Sequence, residues 1–253
     1  MLDFHNKTAV ITGAAGNIGQ ATAQLLASRG ANVLAVDIDD NALTETLKLL
    51  KAANPAGNHA ICQADVSHPP SVKAYALQGA SLTGEGIDVF FNNAGIEGAT
   101  APITTYPEDS FDKVMDVNVK GVFLGLKYVL YEMNRGGAVV NTASVSGLGG
   151  SPNMIAYTAS KHAVIGMTKT AALEMAPENI RINAICPAPI QGRMMKKLER
   201  GLKLSEEGMS RAIPMKRYGT PEEVANFVVM LLSEEANYLT GGIYTVDGGL
   251  RAR

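Results

Sequence analysis

The stretch Tyr157-Thr158-Ala159-Ser160-Lys161 sets a phenol and an ammonium at positions i and i+4. On a helix these positions share a face, so Lys161 reaches the neighbourhood of the Tyr157 oxygen. Such a pair alone is common surface chemistry, and its surroundings make it more. Ser144 precedes it, just past the end of a strand-like run, where a hydroxyl can hydrogen-bond a substrate oxygen. A free tyrosine titrates at about 10, and making it a base near neutrality takes roughly 4 kcal/mol of preferential phenolate stabilisation. A nearby cation in a partly dry cleft supplies part of that.

A second constellation lies near the N-terminus. A first apolar run ends in Thr12-Gly13-Ala14-Ala15-Gly16-Asn17-Ile18-Gly19, and a helix pattern follows. Glycines let the chain turn tightly and let a pyrophosphate approach the backbone, and the helix start offers free N–H groups. Gly13, Asn17, Ile18 and Gly19 are the candidate contacts. The second strand ends in Val36-Asp37. A carboxylate there accepts hydrogen bonds from an adenosine ribose diol and repels a 2′-phosphate. The loop itself holds no Lys or Arg. Both features favour NAD over NADP. An oxidised nicotinamide ring would then join Lys161 in stabilising the Tyr157 phenolate.

The elements that must position these groups follow from periodicity. Short, nearly continuous apolar runs predict strands at Thr8–Thr12, Asn32–Val36, His59–Gln63, Val89–Phe91, Ala138–Asn141, Arg181–Ile185 and Ile243–Val246. Helix patterns cover Ile18–Arg29, Asn41–Ala53, Pro70–Thr83, Pro107–Met133, Ile155–Ala176 and Pro221–Leu232. Thr220-Pro221-Glu222-Glu223 reads as an N-cap, a proline at N1 and acids in the first turn. Alternating strand and helix implies parallel pairing with right-handed crossovers. The expected fold is α/β: one doubly wound, Rossmann-type domain over residues 1–253, with a parallel sheet of about seven strands and helices on both faces. Residues 188–214, rich in Met, Lys, Arg and Glu, lack a strand pattern and read as a lid insertion over a ligand crevice.

Composition sets limits. The 253 residues are 46% hydrophobic and 18% charged, an ordinary globular balance. A net charge of −2 disfavours nucleic acid and polybasic membrane binding. No apolar run is long enough to span a bilayer. Two cysteines, Cys62 and Cys186, make no disulfide framework and fit a reducing cytoplasm. The N-terminal residues run into a strand without a signal-peptide pattern. The four histidines form no metal constellation; His59 and Cys62, three apart in a strand, face opposite sides.

With these residues in place the chain resembles the short-chain dehydrogenase/reductase family, in its single-domain branch of about 250 residues. The resemblance runs from Lys7 to Gly249. It rests on the glycine loop, Asp65-Val66, Asn92-Asn93-Ala94-Gly95, Asn118, Ser144, Tyr157, Lys161, the stretch from Asn183 to Pro187, and Asp247-Gly248-Gly249. It implies that Tyr157 is the general acid/base, that Lys161 binds the nicotinamide ribose and lowers the Tyr157 pKa, and that Ser144 orients the reacting oxygen. Asn118 would hold a water in a proton relay to Lys161, from a helix that it locally distorts. Asp65 and Val66 would contact adenine. Asn93 would support the central sheet, with Ala94 and Gly95 passing close to the cofactor, and Ile190 would meet the carboxamide through its backbone. A homotetramer is implied, built on the helices holding Asn118 and Tyr157 and on the last strand.

Three positions depart from the family pattern. Asn17 stands where a glycine is usual, and asparagine tolerates left-handed backbone. The usual Pro-Gly after the sixth strand reads Pro187-Ala188, which restricts the chain beside the nicotinamide. Gly192 replaces an expected hydroxyl residue.

The implied reaction interconverts a secondary alcohol and a ketone, with oxidation as the working direction. Walls at Ile96–Ala101, Val145–Met154 and the 188–214 segment, including Leu148, Met154, Met194 and Met195, predict a medium-sized apolar substrate, with cyclic ones among the candidates. Ser146, Asn153 and Glu97 add polar groups. The stretch from Pro214 to Glu223 resembles 3-oxoacyl-[acyl-carrier-protein] reductases equally well, although Asp37 argues against their NADP preference. A non-catalytic nucleotide-binding protein is the remote alternative.

Overall fold

The computed structural model describes residues 2–252. Seven strands form one parallel sheet in the order β3-β2-β1-β4-β5-β6-β7. They are β1 (Thr8–Thr12), β2 (Asn32–Asp37), β3 (His59–Gln63), β4 (Ile87–Asn92), β5 (Met133–Thr142), β6 (Arg181–Pro187) and β7 (Ile243–Val246). Every residue of β1 and β6 is buried, as strands covered on both faces require. One apolar cluster lies on each face. Ile11, Val33, Phe91 and Val140 point to one side, and Val10, Leu34, Phe90 and Val139 to the other.

The helices are α1 (Asn17–Ser28), α2 (Asp40–Ala53), α3 (Pro69–Ser81), α4 (Glu108–Met115), α5 (Gly121–Val129), α6 (Ile155–Met175), α7 (Arg193–Leu202), α8 (Glu206–Ser210) and α9 (Pro221–Leu232). The start of α9 is the expected capping box. Thr220 Oγ1 accepts from the Glu223 N–H, and the Glu223 carboxylate accepts from the Thr220 N–H. Among the described residues, no helix is long and apolar enough to cross a membrane.

Two expectations need correction. The helix foreseen over Pro107–Met133 is α4, one π-helical stretch at Asp116–Lys120, and α5, ending in a 3₁₀ turn at Leu130–Glu132. Strand β5 then begins at Met133 rather than Ala138. Its first half slips against β4, where Ile87 pairs with Met133 and Val89 with Ala138. Gly136, at φ +84, and Gly137, where a Cβ would stand 2.9 Å from the Asp88 carbonyl oxygen, let that bulge form.

All seven strands point the same way, so their C-terminal ends form one edge. Segment 188–214, carrying α7 and α8, leaves β6 at that edge and returns through Tyr218 to α9. A bridge between Ile190 and Gly219 ties its base.

Candidate active site

The glycine loop is built by close approach. Gly13 has φ +65, and a Cβ on it would come to 3.0 Å from Ala94 Cα. A Cβ on Gly19 would come to 2.2 Å from the Gly13 carbonyl oxygen, so the first turn of α1 presses on the loop it follows. Asn17 is the first residue of α1, after an extended Gly16, and is absent from the residues with positive φ. The left-handed tolerance foreseen for Asn17 is therefore not what it supplies. Asp37, at the end of β2, accepts from the N–H groups of Ala15 (3.0 Å) and Ile38 (2.8 Å). It braces the loop from the neighbouring strand, and the helix cap is Asp39 instead.

Asn93 knots three strands together. Its Nδ2 donates to the Thr12 carbonyl (3.1 Å), and its Oδ1 accepts from Thr142 Oγ1 (3.0 Å). Thr12 Oγ1 accepts from the N–H groups of Asn93 and Ala94. After β3, the Asp65 carboxylate accepts from Ser67 Oγ (2.7 Å), which holds its pKa below the usual carboxylate value. Val66 meets the backbone of α5. A Cβ on Gly121 would stand 2.9 Å from its Cγ2.

The π-helical stretch has a tertiary cause. Asn118, fully buried, clamps the loop after β4. Its Oδ1 accepts from the Ile96 N–H (2.8 Å), and its Nδ2 donates to the Ile96 carbonyl (2.8 Å) and to Ser160 Oγ (3.1 Å). The widened turn delivers that carboxamide from a helix to a loop and to α6 at once.

Ser144 follows β5 and caps a 3₁₀ turn over Val145–Gly147. Its Oγ accepts from the Ser146 N–H (3.2 Å), leaving the hydroxyl proton to donate. Gly147 lets this turn lie against α6, since a Cβ there would be 2.7 Å from the Lys161 carbonyl oxygen. Lys161 is 2% exposed; its Nζ donates to the Thr142 carbonyl (2.8 Å) and lies 5.5 Å from the Tyr157 ring centroid. Burial lowers Lys161 from 10.5 to about 8. Tyr157 departs from expectation, because desolvation pushes its phenol up. Hydrogen bonding from Ser144 pulls it the other way, and the Glu97 carboxylate adds to the rise. In the protein alone burial outweighs the Ser144 hydrogen bond at the phenol.

Together these groups open on a cleft of about 1390 Å³. Gly13, Asn17, Ile18, Asp37, Asp65, Val66, Asn93, Ala94, Gly95, Ser144, Tyr157, Lys161, Pro187 and Ile190 all line it. Gly19 and Asn118 stand behind its wall. Of the foreseen wall at Ile96–Ala101, Ile96 and Glu97 face the cleft. Gly98–Ala101 turn away; the Ala99 N–H is taken by Ser110 Oγ (2.9 Å), and the Ala101 N–H by the Asn153 carbonyl. Leu148 packs instead into the cluster on the α6 side of the sheet. Met154, Met194 and Met195 are in place. Glu97, 7% exposed, pairs with Lys197 of α7.

Sequence reasoning missed Thr142 and Arg193. Thr142 holds Lys161 through a backbone carbonyl, which no side chain announces. Arg193 donates from Nη2 to the Ala15 carbonyl (2.8 Å). Its signal was a basic residue directly after Gly192. Among the described residues no cluster of metal-ligating side chains exists.

The residues fit a dinucleotide. The glycine cradle leaves no room for side chains, a helix N-terminus faces the cleft, and a Cβ on Gly95 would lie 3.2 Å from Asn118 Oδ1 and 3.4 Å from Lys161 Nζ. A protein-family model described as enoyl-(acyl carrier protein) reductase matches residues 13–251. Levodione reductase of Leifsonia aquatica is 40% identical, over 98% of this chain and 96% of that protein. A crystal structure of levodione reductase superposes with a TM-score of 0.95 at 39% identity, covering 98% of this chain and 99% of that one. Cyclohexanol dehydrogenase of Acinetobacter sp. (strain SE19) is 38% identical over 99% and 97% of the two chains. A 3-oxoacyl-[acyl-carrier-protein] reductase of Thermotoga maritima is 41% identical over 98% of each. Sequence and fold agree over nearly the whole length, and the chain belongs to the short-chain dehydrogenase/reductase family.

Proposed function

We propose that this protein is an NAD-dependent oxidoreductase that interconverts a secondary alcohol and a ketone on a medium-sized, largely apolar ring. The observation that carries it is the joint placement of Ser144, Tyr157 and buried Lys161 at one end of a cleft whose other end is the glycine loop and Asp37.

A bound nicotinamide dinucleotide would supply hydride transfer at the substrate carbon. Tyr157 moves the proton of the substrate oxygen. Ser144, whose Oγ already accepts from Ser146, donates to that oxygen and stabilises charge developing on it. Lys161 is fixed by Thr142, orients the cofactor ribose and sets the field at Tyr157. Asn118 holds the Ile96 loop and α6 at fixed separation and lies beside the proton path from Lys161. Asp37 presents its carboxylate to the adenosine ribose, which favours NAD over NADP. Asp65 and Val66 flank the adenine, and Ile190 with Pro187 borders the nicotinamide.

Ring-shaped substrates are supported by the methionine-lined wall and by relatives named for levodione and cyclohexanol. The 188–214 segment acts as the lid, within a single catalytic domain. Phe123 on α5 and Leu173 on α6 remain exposed, in keeping with a homotetramer built on those helices. A cytoplasmic setting fits two unpaired cysteines.

The test is NADH formation from NAD across cyclic alcohols, vicinal diols, aryl carbinols, polyols and 3-hydroxyacyl thioesters, with NADP in parallel. The expected result is turnover of cyclic alcohols with NAD. Preference for 3-hydroxyacyl thioesters with NADP would replace this reading with an acyl-thioester reductase. NADH binding without turnover of any class would leave a nucleotide-binding protein.

A further inference from the structure

Two of the positions at which this chain departs from the family pattern touch each other. A Cβ on Gly192 would stand 2.5 Å from Asn17 Oδ1 and 2.7 Å from its Cγ, and Gly192 itself has φ +154. With that space left clear, Asn17 Oδ1 accepts from the Arg193 N–H (3.2 Å) at the start of α7. The Arg193 side chain then returns over the loop, and its Nη2 donates to the Ala15 carbonyl (2.8 Å). Asp37 accepts from the N–H of the same Ala15. The glycine loop is thus held by β2 on one side and by α7 on the other.

Charge gives this arrangement a purpose. The loop from Gly13 to Gly19 contains no Lys or Arg. Lys161 is committed to the Thr142 carbonyl and Lys197 to Glu97. Among the described residues lining the cleft, Arg193 is the cation bonded to the glycine loop. One donor of its guanidinium is used on Ala15, and the rest of the fork remains for an oxyanion.

We propose that Arg193 is a cofactor-positioning residue. Its guanidinium, held over the loop by the Ala15 carbonyl while Asn17 holds the Arg193 backbone N–H, binds the pyrophosphate of the dinucleotide from the lid. Gly192 is small because a side chain there would evict the Asn17 carboxamide from its seat. The proposal rests on the dinucleotide-binding reading above, and it couples closure of the 188–214 segment to the cofactor's phosphates. Asn17 and Gly192 then form one paired device.

The test is equilibrium binding of NADH, ADP, 2′-AMP and adenosine to the full-length protein, without substrate. Arg193→Met keeps an apolar stem and is expected to weaken NADH and ADP about tenfold, with adenosine unchanged. Arg193→Lys keeps the charge but not the fork and falls between. Gly192→Ala is expected to weaken NADH through backbone strain at φ +154 and through eviction of Asn17, and only the second part should vanish in an Asn17→Gly background, so the combined loss is less than additive. Equal losses for ADP and adenosine, a loss confined to 2′-AMP, unchanged NADH binding in Arg193→Met, or additive effects of Gly192→Ala and Asn17→Gly would each overturn it. Failure of the unaltered protein to bind NADH would instead overturn the dinucleotide reading itself. Arg193 and Asn17 are exposed, and apo melting curves check that every variant folds, Gly192→Ala included.

Discussion

The floor of the cleft and the 188–214 segment that lines its other side are built in opposite ways. On the floor, Asn118, Ser144 and Lys161 are buried, and each is bonded to backbone or to another buried polar group. The sheet beneath is packed on both faces. That side has its own small cluster, Met154, Met195, Leu198, Ile213 and Tyr218, against which Tyr157 and Met209 lie. Its outer face carries Lys196, Arg200 and Lys203. Methionines adapt their shape, whereas a network of buried hydrogen bonds does not. Proton transfer needs fixed distances, and recognition of a varied ring tolerates a yielding wall. Tyr157 stands at the junction, with its backbone on α6 and its ring against the lid cluster.

The largest expected effect tests the floor. Tyr157→Phe removes the proton donor and keeps the ring's packing. Turnover should fall by about 10²–10⁴-fold while NADH affinity stays within about twofold. Retained turnover would overturn the acid/base assignment. A parallel loss of NADH binding would mean that the phenol holds the cofactor more than it serves the chemistry.

The next effect sets the two regions side by side. Phe90, fully buried between the sheet and its helices, should cost about 3–5 kcal/mol of stability as Phe90→Ala. Leu198→Ala in the lid cluster should cost about 2 kcal/mol, because a cavity walled by methionines collapses more readily. It should also reorder KM among cyclic substrates, with a smaller fall in melting temperature than Phe90→Ala produces. Equal stability losses in chemical denaturation would break the contrast between rigid floor and adaptable wall. Asp37→Ala is smaller still. It should narrow the NAD over NADP preference about tenfold in kcat/KM. An unchanged ratio would place cofactor choice elsewhere.

The same contrast explains what was legible in the sequence. The central strands are readable because a doubly covered parallel strand is buried along its whole length and so runs mostly apolar, as β1 does, whereas the edge strands β3 and β7 are only partly buried and show by their β-branched and apolar residues. The start of β5 was not, because Asn134-Arg135-Gly136-Gly137 carries no strand pattern and pairs only through a bulge. The pair Tyr157 and Lys161 shows at helical spacing. The break at Asp116–Lys120 is set by the bonds of Asn118 to Ile96 and Ser160, partners far along the chain. Thr142 was invisible because it acts through its carbonyl. Arg193 showed only as a basic residue after Gly192, because its partners, Ala15 and Asn17, lie far away along the chain.

The smallest effect sharpens the comparison, because it measures what the floor costs. Lys161 titrates at about 8 in the fold against 10.5 when free. Below pH 8 both the folded and unfolded chains hold its proton, and the burial penalty is felt in full. Between 8 and 10.5 the unfolded chain holds a proton that the fold has released, so stability rises with pH. Cys186 works in the opposite direction. Burial pushes its thiol from 9.0 to about 11, so its contribution is present below 9 and is lost as pH rises through 11. Tyr157, raised above 10.0, joins Cys186 at still higher pH. Cys62, also raised by burial, acts in the same sense as Cys186, and the difference between the unaltered protein and a Lys161 variant from pH 8 to 9 cancels both and leaves Lys161. Urea unfolding at those two pH values should show the unaltered protein gaining about 1 kcal/mol relative to Lys161→Met. Parallel pH dependence in the two proteins would mean that Lys161 keeps its ordinary pKa and that the floor bears no such penalty.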